Sequence, residues 1–156
     1  MKRPIYFCKS WFRAKKRPTE VWTEEQAKSA HMDKQPYTVL VDFIERPYCF
    51  LEITEKAVGV GFFDKHLREC LTYAFQEFEN GKLFLTMATH REFDGDTDKV
   101  VSGISYIFKQ DGTVNMRREF FNPHRLETAM TSTDVSMNYA VMPEFGEYDD
   151  FVRVER

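Results

Sequence analysis

Asn80-Gly81 stands between two apolar runs, Leu71–Phe78 and Lys82–His90, and no other feature of the chain restricts its fold as tightly. A two-residue connection of this composition favours a type I′ turn, whose central residues both need positive φ, and such a turn joins adjacent antiparallel strands. Taken alone, residues 64–79 fit two periods. Leu67, Leu71, Ala74 and Phe78 make a helical stripe, whereas Leu71, Tyr73 and Phe75 alternate as in a strand. The turn decides between them: Leu71–Phe78 is expected to be a strand paired with Lys82–His90, preceded at most by a helical turn from Asp64.

Val100–Phe108 and Thr113–Phe120 flank Gln110-Asp111-Gly112, a second hairpin in which glycine supplies the left-handed position. Tyr37–Glu45 is rich in β-branched and aromatic residues and stops at Arg46-Pro47. Tyr48–Thr54 places Cys49, Leu51 and Ile53 on one face and Tyr48, Phe50, Glu52 and Thr54 on the other. Ala57–Phe63 carries Gly59 and Gly61 on a shared face, a pattern expected where a strand bends or another element crosses closely. Ile5–Phe12 reads as a short strand whose basic ends suit a sheet edge. Thr23-Glu24-Glu25-Gln26 matches a capping box and predicts a short helix from Glu24 to His31. Asn122-Pro123 interrupts the pattern, and the tail leaves room for one further strand.

Short connections favour neighbouring antiparallel strands. The expected fold is therefore α+β and mainly β: a curved antiparallel meander, strongly bent or barrel-like, with one or two short helices. At 156 residues this is one domain, with residues 1–36 either part of the sheet or a peripheral basic extension.

Charge is distributed unevenly. Residues 1–18 hold seven basic side chains and no acid, so the rest of the chain carries −10 beneath a formal net charge of −3. From Leu126 to Val152 there are six acids and no Lys or Arg. Such polarity can orient a partner and speed association, or it can be a solvated acidic face beside a basic strand. Fifteen Phe, seven Tyr and two Trp suit both half-buried strands and binding surfaces. Cys8, Cys49 and Cys70 are odd in number and form no CxxC pair, which points to buried thiols in a reducing compartment. No secretory apolar run and no stretch of about 20 apolar residues is present, so a cytoplasmic protein with no membrane partner is expected.

Motifs for chemistry are sparse. Asp94-Gly-Asp-Thr-Asp98 opens like a calcium loop, but Lys99 and Ser105 occupy the positions where an EF-hand needs Gly and Glu. His31, His66, His90 and His124 lack metal-ligand spacing, and neither a nucleophile elbow nor a phosphate-cradling glycine loop occurs. Lys9–Arg17 mixes basic and aromatic residues as single-stranded nucleic-acid sites do, yet the sequence pI near 5.8 argues against a nucleic-acid partner. The chain is expected to be neither an enzyme nor a cofactor or metal protein. The alternative is a small ligand-binding or enzymatic domain that uses the sheet as a cup, with Glu52, His90 or Arg91 in its pocket.

Three stretches carry a family likeness: Phe62–Glu69 through Asn80–Leu85, Arg91–Gly103 through Phe108–Gly112, and Asp134–Asn138 through Pro143–Tyr148 with the closing Glu155-Arg156. Over residues 37–156 the chain resembles bacterial immunity proteins encoded beside polymorphic toxins of the Rhs or contact-delivered kind. The resemblance implies a cytosolic inhibitor that binds a cognate protein toxin and occludes its active site; aromatic edge strands allow a homodimer as well as a monomer. It brings no established binding residues, so the expected contacts come from charge and aromaticity: Asp94, Asp96 and Asp98, and Glu144, Glu147, Tyr148, Asp149 and Asp150. The competing role for Phe145, Tyr148 and Phe151 is to pack the tail onto the sheet.

Overall fold

A computed structural model describes residues 2–156. Thirteen strands and one α-helix follow one another as β1 (Ile5–Cys8), β2 (Trp11–Phe12), β3 (Arg17–Pro18), β4 (Val21–Trp22), α1 (Glu24–Met32), β5 (Tyr37–Val41), β6 (Cys49–Ile53), β7 (Ala57–Phe63), β8 (Glu69–Glu79), β9 (Lys82–Phe93), β10 (Val100–Phe108), β11 (Thr113–Phe120), β12 (Arg125–Ser132) and β13 (Tyr139–Val141). From β5 to β12 each strand pairs antiparallel with the next, a meander that does not close into a barrel. On the far side β1 pairs with β5 and β4 with β1, so these two N-terminal strands belong to the sheet. β9 is long enough to serve two neighbours. Its start, Lys82–Phe84, pairs with β13, and its end, Met87–Phe93, pairs with β10.

The predicted helix forms with its capping box: the Gln26 amide donates to Thr23 Oγ1 (3.2 Å), and the Thr23 amide donates to Gln26 Oε1 (2.8 Å). Both long hairpins form at the expected places. The Asn80-Gly81 turn departs in type, since Gly81 takes positive φ (75°) while Asn80 does not, and the register shifts between Glu77 and Glu79. A type I turn closed by a left-handed glycine and a bulge also matches strand twist, which is why the hairpin survives the change. Ile5–Phe12 is not one edge strand: the chain breaks after Cys8, β1 lies inside the sheet, and Trp11–Phe12 pairs with Arg17–Pro18 in a separate ribbon. Tyr37–Glu45 ends early, at Val41, where Asp42 adopts positive φ (77°).

The two faces of the sheet have different fates. Alternating residues of β5 to β9, such as Val39, Leu51, Val60, Tyr73, Phe75 and Leu85, make the main core. Ala27 and Ala30 of α1 cover one part of it, and Tyr148 and Phe151 of the tail cover another. Phe151 meets Phe75 edge-on at 5.1 Å, and Arg156 folds back to lie 4.7 Å over the same ring. A row of ring groups ties helix to tail: His31 Nδ1 is 2.9 Å from the Tyr37 hydroxyl, which is 2.8 Å from the Tyr148 hydroxyl. On the other face a small cluster of Cys8, Trp11, Leu40, Phe50 and Leu67 packs the β2–β3 ribbon, through Trp11, onto the sheet. β5 is thus buried on both sides, which explains its unbroken apolar run.

Two consequences can be measured. A methyl group at Gly61 would lie 2.3 Å from a ring carbon of Phe50, whereas at Gly59 the nearest atom is 3.9 Å away. Gly61→Ala should therefore cost about 1–3 kcal/mol in chemical denaturation, while Gly59→Ala is tolerated. Burial pulls the His31 imidazole below its ordinary value, so the unfolded chain takes up that proton first as pH falls. Stability should be intact above about pH 6.5 and decline as the pH drops from there towards the folded value. His31→Phe, which keeps the ring contacts to Tyr37 and Phe145, should flatten that decline in pH-dependent melting curves.

Candidate functional site

The face opposite the main core is left open over β7 to β11, and the curvature of the sheet makes it a groove of about 880 Å³. Its floor is built by cross-strand rows. Phe50, Gly61, Thr72, Thr89, Ser105 and Arg117 stand directly opposite one another across six consecutive strands. Glu52, Gly59, Ala74 and Met87 make a parallel row, and Arg91, Gly103 and Glu119 a third. Small side chains in the middle of the rows create the depth, and Thr89 and Ser105 join hydroxyls at 3.0 Å.

The guanidinium groups divide into two kinds. Arg13 reaches over from the N-terminal ribbon to Glu52 (2.6 Å) and Glu69 (3.0 Å). Burial would lower its pKa, but the two carboxylates outweigh that and raise it. Arg91 makes only long contacts of 3.5 Å with the Glu69 carbonyl and the Thr72 hydroxyl. Among the described residues no carboxylate pairs with Arg91 or with Arg117, so two cations are offered to whatever enters.

At one end the groove meets the loop between β9 and β10, and this loop is held by a clamp. Asp64 Oδ1 accepts the amides of His66 (2.9 Å) and Arg68 (3.1 Å), and its Oδ2 accepts Arg68 Nε (2.8 Å). Arg68 then donates to the carbonyls of Gly95 (2.9 Å) and Thr97 (2.7 Å) and stacks 4.6 Å over Phe93. With its carbonyls turned to Arg68, the loop exposes Asp94 and Asp96, while Asp98 binds Lys16 (2.6 Å) at the groove's lip. Burial alone would raise the Asp64 pKa, but the hydrogen bonds and charge of Arg68 and the His66 amide overcome it and hold the carboxyl below its usual range.

The residues expected to make contact do not form one patch. Asp94, Asp96 and Asp98 sit at the groove's end. Glu144, Glu147, Asp149 and Asp150 are exposed on the tail that covers the opposite face, and Lys2 pairs with Glu147 (2.9 Å). Tyr148 is 2% exposed and bonds to Tyr37, so it anchors the tail instead of offering a contact. Of the three residues placed in a cup, Glu52 and Arg91 line the groove; His90 lies opposite Leu71 on the other face and is solvent-exposed. Burial pushes the Cys8 and Cys49 thiols up to about 12, which keeps them protonated and unreactive. Among the described residues no three His, Cys, Asp or Glu side chains are grouped to hold a metal ion. The Thr72, Thr89, Ser105 and Arg117 row was missed by sequence reasoning, although the polar positions alternating with Leu71, Tyr73 and Phe75 carried its signal.

This arrangement defines an open-faced antiparallel sheet domain with a small-residue groove, two unpaired arginines and an acidic lip. No protein-family model, curated protein or solved structure matches the chain.

Removing the clamp should free the acidic lip. Arg68→Lys keeps the charge but loses the fork that spans Asp64 and two carbonyls, so faster amide exchange is expected at 94–99 with little change in the core strands. Asp64 contributes stability at neutral pH that is lost as pH falls through its lowered pKa, and Asp64→Asn should remove that acid-side loss.

Proposed function

We propose that the protein is an immunity-type inhibitor that captures a cognate protein toxin in the groove and so occludes the toxin's active site. The observation that carries the reading is the groove itself, a continuous concavity whose depth comes from glycine, alanine and hydroxyl side chains that the main core does not use. A partner segment lying along these rows would meet hydroxyls and the Arg91 and Arg117 guanidinium groups on the floor. Basic residues of a toxin's substrate site would meet Asp94 and Asp96 at the lip. Complementary fields of this kind raise association rates and exclude wrong partners. The same reading is what the resemblance of residues 37–156 to immunity proteins implies.

A small-ligand cup is the second reading, favoured by one observation: the groove's volume lies within the roughly 300–1,000 Å³ typical of ligand pockets, with Glu52 and Arg91 on its walls.

Gly59 separates the two from a purely structural groove, because it lies on the groove floor and a Cβ there meets nothing nearer than Glu52 Cβ at 3.9 Å, so a larger side chain would extend into the groove and not into the core. The experiment is to recover the partner by pull-down of the tagged protein from its native cell, then to co-express the two and score host survival. Wild type should protect and co-purify in fixed stoichiometry, and Gly59→Phe should fold normally but lose both properties. Asp94→Lys with Asp96→Lys should slow association and change its salt dependence. Full protection by Gly59→Phe would dismiss the groove as the interface, and failure of wild type to protect would dismiss the inhibitor.

A further inference from the structure

The sheet's two edges are finished differently. At one end β4 is a two-residue strand, too short to template pairing. At the other, β12 runs for eight residues in unbroken register with β11, and all eight are exposed. Its outer side presents unpaired backbone N–H and C=O groups without the proline, bulge or lysine that usually blunts such an edge.

We propose that β12 pairs antiparallel with the β12 of a second copy of this chain, about a two-fold axis normal to the sheet through Thr128. Directly opposed residues share a face, so an axis in this direction must pass through a residue and not between two. Centred on Thr128, the pairing sets Leu126 against Met130 of the second copy and Met130 against Leu126. Those are the strand's two large exposed apolar side chains, 44% and 73% accessible. Thr128 meets its own equivalent, a favourable cross-strand pair. On the reverse face Arg125 meets Thr131 and Glu127 meets Ala129, with each Glu127 kept beside its own Arg125 at 3.7 Å. No like charges stand opposite. Centring on Glu127 would oppose two carboxylates, and centring on Ala129 would set both apolar residues against Ser132 or Thr128. The register centred on Thr128 is therefore self-complementary over residues 125–131, more of the strand than a register centred on Leu126 or Met130 can pair, and self-complementarity is what an isologous contact needs. The axis also leaves both grooves on the same side, with Leu126, Thr128 and Met130 continuing their floors from Glu119, Arg117 and Asn115.

A contact confined to one strand pair belongs to the weak, exchanging class, so a dimer in the micromolar range is expected. Sedimentation velocity across a concentration series tests it, and this inference does not depend on the toxin-binding reading. Thr128→Glu places a carboxylate opposite Arg117 in its own chain, which favours the fold, and opposite a second carboxylate across the axis, which opposes pairing. Wild type should shift from monomer to dimer with concentration, and Thr128→Glu should remain monomeric with an unchanged or higher melting temperature. Should Thr128→Glu melt early, Met130→Glu, which faces Asn115 in its own chain, makes the same comparison. A wild type that stays monomeric throughout, or a folded variant that dimerises as tightly as wild type, overturns the proposal.

Discussion

Everything about this molecule's surface follows from which face of the sheet is covered. A meander of eight sequential strands has two faces, and the chain holds only enough extra material to seal one of them. α1 and the tail from Pro143 to Phe151 are spent on the face that carries Val39, Leu51, Phe75 and Leu85, where Tyr148 and Phe151 are nearly inaccessible. The other face receives only the β2–β3 ribbon and the turn at Leu67 over its β5–β6 end. Beyond that end the side chains shrink to glycine, alanine, serine and threonine. Without bulk to pack and without a lid, the curvature of the sheet becomes a groove.

The charge asymmetry of the sequence is largely an internal match. Arg3 binds Asp42, Lys2 binds Glu147, Arg13 binds Glu52 and Glu69, and Lys16 binds Asp98. Each is a surface pair worth little alone. Together they direct the basic N-terminal segment across the acidic body and fix the ribbon at the groove's end. Within Lys9–Arg17 the pairing engages Arg13 and Lys16 and leaves Lys9, Lys15 and Arg17 outside these pairs. Charge left unsatisfied inside the groove, at Arg91 and Arg117, is therefore more informative than the larger imbalance seen along the chain.

What was legible in the sequence was what local chemistry dictates. Gly81 and Gly112, in left-handed conformations, close the two hairpins; Thr23 and Gln26 cap α1; Cys49, Leu51 and Ile53 share the core face. β12 left almost no trace because its eight residues are all exposed, none reaching the core from either face, and they owe their conformation to the ladder with β11. Hydrophobic periodicity cannot report a strand that has no core side. The acidic contacts were separated for a related reason. Asp94 and Asp150 are alike as letters, and only the course of the tail over the main core puts them on opposite sides of the sheet. Tyr148 shows the limit most clearly, since an aromatic among acids suits an interface and an anchor equally until its partner, Tyr37, is known.

The outer strands show how this architecture separates stability from recognition. The core lies beneath β5 to β9, where both α1 and the tail press on the sheet, and burial fades through β10 and β11 to β12, where every residue is exposed. The groove spans that gradient, so its floor begins on rigid strands and ends on strands held chiefly by backbone hydrogen bonds. Cation contacts partly compensate, as Arg125 lies 4.2 Å over Phe120 and braces the last two strands. A site built this way keeps Gly61 and Thr72 fixed by the core while Ser105 and Arg117 ride on the less buried wing. Substitutions near β12 can then alter what the groove accepts with little cost to folding, whereas those near β7 are felt by the whole sheet.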